Sequence, residues 1–161
     1  MLVLDRGQKD QVFIGQAVFD ASGVIGQVVE VGPLTSTVML ITDHKSAVPV
    51  KNSRSGERSI LVGLGKAQSL SLINLASTSS VKVGDELLTS GLGRRYPEGY
   101  PIGIVEYVHR GVNDAFITVI VKPAAKISQS RLMLLTWHNE KDQTLLKELS
   151  ELAKKNYSAG K

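Results

Sequence analysis

The chain has 161 residues, 42% of them hydrophobic and 21% charged, which suits one ordinary folded domain or two very small ones and excludes a disordered polymer. A net charge of +4 is mild, and the absence of cysteine excludes disulfides and thiolate metal centres while leaving the compartment open. No run approaches the ~18 apolar residues of a membrane span, and the N-terminus lacks the basic and apolar regions of a secretion signal. A strand pattern starts at Leu2-Val3-Leu4, an abrupt beginning expected of a portion excised from something longer.

Apolar runs of strand length then follow one another between turn signals. Strands are expected near 2–5, 16–19, 24–31, 36–42, 47–51, 59–64, 70–75, 86–89, 102–108, 115–122 and 131–137. Many are rich in Val, Ile, Leu and Thr, as a pleated surface prefers. The runs "STVMLIT" and "AFITVIVK" are nearly continuous and predict central strands buried on both sides. Hairpin turns are expected at Asp20–Gly23, Asn52–Gly56 and Gly111–Asp114, where residues tolerating positive φ gather. From 139 to 155, Leu145, Leu146, Leu149 and Leu152 recur at helical spacing, so a short surface helix precedes a tail, "NYSAGK", expected to be disordered. Many short strands without intervening helices predict barrels or sandwiches, and the fold class expected is an all-β chain of two small six-stranded-type barrels with a short C-terminal helix or tail. The expected boundaries are 1–68 for the first barrel, 69–137 for the second and 138–161 for the tail.

A weak internal repeat supports two barrels. "VFIGQAVF" (12–19) resembles "VKVGDELL" (81–88), and "GQVVEV" (26–31) resembles "GIVEYV" (103–108). Glycine at a strand start supplies a bend or a close backbone approach. Between the aligned glycines lies "GLGRRYPEGYP" (91–101), which invites comparison with a phosphate-binding loop. Such a loop needs a helix N-terminus after it, whereas Pro97 and Pro101 follow here and no helical pattern begins. "GLGK" (63–66) lacks the Ser or Thr that would follow the lysine. Gly23, Gly26, Gly84, Gly91, Gly93, Gly99 and Gly103 are therefore read as structural turn and corner positions, with no cofactor.

Candidate chemistry is sparse. His44 follows a strand as a general base would, but its neighbour Asp43 points to the opposite face of an extended chain. Ser90 in "LLTSGLGRR" is the one nucleophile candidate with glycines after it, and Ser55-Gly56 reads as a hairpin turn. His109 and His138 stand too far from His44 in sequence for a metal-ligand spacing. Asp85 and Glu86 follow a turn glycine and read as solvation and turn capping. Lys51, Arg54, Arg58, Lys66 and Lys82 lie scattered without interleaved aromatics, which argues against a nucleic-acid surface. Tyr107 and Trp137 suit either a core or an interface anchor.

The segments "GQAVFDASGVIGQVVEVGPLTSTVMLITD", "VGDELLTSGLG", "YPEGYPIGIV" and "VKPAA", in that order, resemble the signatures of the MreC family of bacterial rod-shape-determining proteins over roughly residues 2–137. The resemblance implies a non-enzymatic, periplasmic scaffold of the cell-elongation machinery that organises peptidoglycan synthases. It implies two small β-barrels, anchored in family members by an N-terminal membrane helix and coiled coil that this chain lacks. The partners it implies are further copies of the same protein, the elongation-specific penicillin-binding transpeptidase, RodA and MreD, with MreB reached through parts absent here; no nucleic acid is among them. Two other classes compete with it: a chymotrypsin-like double-barrel hydrolase using Ser90 and His44, and a β module binding an anionic polymer.

Overall fold

The computed structural model describes residues 1–66 and 68–136. They form eleven strands: β1 (Leu2–Leu4), β2 (Ala17–Phe19), β3 (Val24–Val31), β4 (Ser36–Leu40), β5 (Ala47–Asn52), β6 (Arg58–Gly63), β7 (Leu70–Ile73), β8 (Glu86–Thr89), β9 (Pro101–His109), β10 (Thr118–Pro123) and β11 (Leu134–Leu135). Helical structure among the described residues is confined to two 3₁₀ turns, Gln8–Asp10 and Leu92–Arg94. The helix expected over 139–155 lies outside the described residues.

The strands build one closed barrel and one open sheet. β10-β7-β6-β5-β8-β9 close a six-stranded antiparallel barrel, while β1-β4-β3-β2-β11 form a five-stranded sheet. The expectation of two barrels is thus corrected to one barrel and one open, curled sheet. The sheets do not part at residue 68 either. β5 and β6 pair with β7 and β8 in the barrel, and the chain returns at its end to add β11 to β2. Composition is uniform along the chain, so nothing local marks a crossover between β4 and β5. Of the strand expected at 131–137, Leu134 and Leu135 pair with Phe19 and Val18 and Thr136 N donates to Ala17 O at 3.4 Å, while residue 137 lies outside the described residues.

The two sheets share a core. Leu61, Leu70, Leu72, Leu87, Ile102, Val119 and Val121 fill the barrel, and Ala17, Phe19, Val24 and Ile41 from the open-sheet region join the same cluster. The hairpin between β2 and β3 plugs one barrel end, where the Phe19 ring meets the Tyr100 ring at 4.6 Å. Asp20 secures that junction. Its carboxylate accepts hydrogen bonds from the N–H groups of Ser22, Gly23 and Lys126 and from the Ser130 hydroxyl. Burial pushes the Asp20 carboxyl up, but these four donors outweigh it and hold the group below its ordinary value. A smaller apolar cluster around Val18, Ile25, Val28 and Val38 fills the open sheet.

The sequence repeat is visible in three dimensions. Gly15 donates to Val28 O at 2.8 Å, and Gly84 donates to Val105 O at 2.8 Å. Val18 pairs with Gly26, and Leu87 pairs with Gly103, each beside a register shift. The side chain after each first glycine caps its own turn: Gln16 accepts from Phe13 N, and Asp85 accepts from Lys82 N. One β-hairpin plan is used twice, and only its second use ends in a closed barrel.

Candidate protein-interaction surface

An antiparallel barrel with a filled interior normally turns polar residues outward. Here the outward positions of five strands depart from that rule. One row runs Ala47–Val62–Ser71–Ile120–Tyr107 in continuous register across β5, β6, β7, β10 and β9. Next to it Pro49 pairs with Ile60 and Ile60 with Ile73, while Thr118 pairs with His109. These ten positions carry no Asp, Glu, Lys or Arg. Their side chains are half-buried or exposed, with Tyr107 51% and Ile73 38% accessible, while the alternate residues Val48, Leu61, Leu72 and Val119 are buried inside. Tyr107 lies parallel to His109 with ring centres 6.4 Å apart, and Phe116 stands 61% exposed just beyond Thr118.

The belt corrects the reading of "AFITVIVK". β10 alternates exposed, buried, half-buried, buried, exposed, buried, so it is not buried on both sides. Its continuous apolar appearance arises because Ile120 points outward into an uncharged surface. β4 is likewise only partly buried.

A second feature lies on the open sheet. β1 and β11 are its edge strands, and residues from β1 and from the segment 130–135 line one groove of about 400 Å³. Leu2, Leu4, Met133 and Leu135 face its apolar floor, with Asp5, Arg6 and Arg131 among its lining. Among the described residues both edges border a gap in the sheet, and edge strands of this kind invite another strand.

The remaining candidates fall into place around these surfaces. Gly84, Gly91, Gly93 and Gly99 have φ of 92°, 76°, 74° and 90°. At Gly23, Gly26 and Gly103 the constraint is space: an added Cβ would lie 2.5 Å from Pro101 O, 2.1 Å from Met39 O and 2.5 Å from Val121 Cγ1. The loop 91–101 folds over the barrel end and drops Tyr96 into its core, 5% exposed. Sequence reasoning passed over Tyr96; the prolines and glycines around it were the available sign of a chain folding back on itself.

Asp85 turns out to be buried, not a solvating residue. It accepts from Arg54 Nε and Nη2, both at 2.8 Å, from Asn52 Nδ2 at 2.8 Å and from Lys82 N at 2.9 Å. The Arg54 pairing, opposed by burial and aided by Asn52 and Lys82, holds its carboxyl far below the ordinary carboxylate range. Glu86 is exposed. Lys51 donates to Glu98 at 3.1 Å, and Arg58, Lys66 and Lys82 are exposed on separate segments.

Ser90 and His44 do not form a nucleophile–base pair. Ser90 is buried and accepts from Leu92 N, while His44 is exposed with Nδ1 3.5 Å from Asp43, and no hydrogen bond joins the serine to the histidine. Among the described residues no group of three metal-ligating side chains converges, and no helix is long and apolar enough to cross a membrane. Trp137 and His138 lie outside the described residues.

The described residues form a β-barrel and an open sheet built on the same glycine-cornered hairpin. Residues 1–137 match the family model described as "Rod shape-determining protein MreC, barrel core", and the chain belongs to the MreC family. It is 40% identical over 149 residues to the cell shape-determining protein MreC of Haemophilus influenzae, covering 92% of this chain and 42% of that protein. The crystal structure of MreC from Pseudomonas aeruginosa superposes with a TM-score of 0.81 at 45% identity, covering 84% of this chain and 87% of that one. The same fold appears at 20% identity and a TM-score of 0.60 in a complex between penicillin-binding protein PBP2 and MreC from Helicobacter pylori, covering 74% of each chain. The chain spans less than half the length of the curated relatives it matches. Those relatives are named for shape determination and not as enzymes.

Proposed function

We propose that this chain is the periplasmic part of a non-enzymatic scaffold that organises peptidoglycan synthesis during cell elongation. Its work is to hold partners at the outer face of the cytoplasmic membrane. The direct partner is the extracytoplasmic domain of a penicillin-binding transpeptidase, and the scaffold associates with copies of itself. RodA, MreD and MreB belong to the same assembly and are reached through parts of the protein beyond this chain. Support comes from family membership and from the printed description of the Helicobacter pylori complex, in which an MreC is joined to PBP2.

The observation that carries the reading is the uncharged belt of the barrel. Half-buried Val62, Ile60 and Ile120 beside exposed Ile73 and Tyr107, with no charge among them, suit a contact surface. The open edges of β1 and β11 suit a second kind of contact, strand addition between copies. Sedimentation velocity of this chain, alone and mixed with the transpeptidase's extracytoplasmic domain, tests both contacts. Concentration-dependent oligomers and a heterocomplex at micromolar concentrations are expected. A chain that stays monomeric and ignores the transpeptidase at tens of micromolar would remove the reading.

A further inference from the structure

The correspondence between the two halves extends to the points where the chain crosses between sheets. After β4, Ile41 N donates to Ile25 O and Ser46 N to Asp43 O; after β10, Ala124 N donates to Ile102 O and Gln129 N to Lys126 O. Asp43 and Lys126 therefore hold matching positions in two matching turns. Each turn leads into a strand that pairs with the first strand of the other half's hairpin, β5 with β8 and β11 with β2. The match continues to the end of those strands, where Ser53 N donates to Glu86 O and Thr136 N to Ala17 O.

The two crossings differ in what holds them. Asp43 Oδ1 accepts from Lys45 N at 2.9 Å, so the first turn carries its own acceptor. Lys126 brings a cation to the same position, and the second turn takes its acceptor from Asp20, in the hairpin between β2 and β3. The two oxygens of Asp20 divide the work. Oδ1 accepts from Ser22 N and Gly23 N of its own hairpin, while Oδ2 accepts from Lys126 N at 2.9 Å and from the Ser130 hydroxyl. At the matching place in the other hairpin stands Thr89, whose hydroxyl donates to Pro97 O and accepts from Tyr100 N, both in its own loop. Reaching across to a distant segment is thus peculiar to Asp20.

That segment has little else to hold it. β5 has six residues and pairs on both sides; β11 has two and pairs with β2 alone. No residue from 126 to 136 is buried; Ile127, Met133 and Leu135 are half-buried, and Leu132 and Leu134 are 85% and 64% exposed. Its remaining polar ties to the rest of the fold include Gln68 Nε2 to Ser128 Oγ, exposed, and Gln16 Nε2 to Thr136 O. Segments with few buried contacts open at low free energy, independently of the rest of the fold.

We infer that residues 126–136 form a strap that Asp20 latches onto the open sheet, and that its release is a local opening that leaves the barrel folded. Asp20 is a positioning residue for β11: charge-assisted hydrogen bonds to the turn fix where the strap begins, and β11 follows from that start. With the strap off, β2 becomes an edge strand and the backbone of Val18 and Phe19 is free to pair. The inference does not depend on the scaffold reading.

Amide hydrogen exchange of the intact chain at neutral pH, followed by nuclear magnetic resonance, tests it on Asp20→Asn, Ser130→Ala and Asp43→Asn. Asp20→Asn is expected to speed exchange at Lys126 and Thr136 by about tenfold or more, the effect of weakening hydrogen bonds to a charged acceptor. The barrel amides of Thr89 and Val105, bonded to Tyr100 O and Asp85 O, should stay within about twofold. Ser130→Ala, which spares the Oδ1 bonds, should give a smaller rise at the same two strap amides, and Asp43→Asn should leave Thr136 unchanged. Equal acceleration at Thr136 and Val105 would show that Asp20 only stabilises the whole molecule, and would overturn the strap. A rise at Lys126 with Thr136 unmoved would equally overturn it, because the latch would not reach β11. Should Asp20→Asn fail to fold, Ser130→Ala decides by the same comparison of Thr136 with Val105.

Discussion

Replacing Asp85 by alanine isolates a polar network that holds two hairpins of the barrel together. The carboxylate, 7% exposed, is the shared acceptor for Arg54, Asn52 and Lys82. Arg54 also donates to Ser80 O at 2.6 Å and reaches solvent, so it keeps other partners when Asp85 is gone. Asn52 and the Lys82 N–H are worse placed. Asn52 is 3% exposed, and its Nδ2 loses the partner it holds at 2.8 Å. Each buried donor left unsatisfied costs about 1–3 kcal/mol, giving a loss of about 2–6 kcal/mol for Asp85→Ala. At about 2–4 °C per kcal/mol for a domain of this size, the melting temperature should fall by roughly 4–24 °C. Asp85→Asn keeps the shape and one acceptor and should lose about half as much. Differential scanning calorimetry at pH 7 measures both. A fall under about 1 kcal/mol for the alanine variant would show that water satisfies these donors and that the network does not hold the barrel.

Three further perturbations have defined outcomes. Tyr96→Ala empties part of the barrel core and should cost about 3–5 kcal/mol, whereas Tyr96→Phe keeps the ring and should cost far less; thermal melts separate them. Gly26→Ala puts a Cβ 2.1 Å from Met39 O of the paired strand and should lower the urea midpoint more than Gly93→Ala, which meets open space and carries only the left-handed backbone penalty of about 1–2 kcal/mol. Acid should unfold the chain through Asp20 and Asp85. Both carboxyls lie below their ordinary value when folded, so their stabilisation is present above about pH 4 and is lost as pH falls below it. A urea midpoint flat from neutral pH to about 5 and falling below about 4 is expected; a midpoint that rises with acid would contradict the sign.

The sequence exposed most strands because Val, Ile and Thr runs and turn residues report local geometry directly. β3 and β8 match their expected ranges, 24–31 and 86–89, and the hairpin turns at 20–23 and 52–56 are in place. What local pattern does not carry is the pairing of distant strands. Nothing in "AVPVKN" says that β5 pairs with β6 and β8 and leaves β4, so one barrel and an open sheet were legible only as two barrels. The belt was half legible. A run such as "ITVIV" signals apolar surface on both faces of a strand, and burial is the usual cause. Distinguishing burial from a dry outer surface needs the neighbours on each side, Ser71 and Tyr107 for Ile120, which only the register supplies. Asp85 was misread for a related reason. Its turn-capping bond to Lys82 is local, but its partner Arg54 lies 31 residues away.

The placement of the two contact surfaces has a consequence for assembly. The belt occupies β5, β6, β7, β9 and β10, and the open edges are β1 and β11, so the two share no strand. The barrel is closed and offers no free edge to a copy, which confines strand addition to the open sheet. The edges there are short, three residues in β1 and two in β11, so each added strand gains few backbone hydrogen bonds. In the proposed scaffold, self-association by this route would be weak per contact, and repetition along the membrane would make it effective. Substitutions at Val3 or Leu134, both exposed edge residues, should weaken oligomers while leaving transpeptidase binding within about twofold. Sedimentation equilibrium and surface binding on the same preparations measure the two effects. A variant at Val3 that lost both together would show that the surfaces are one.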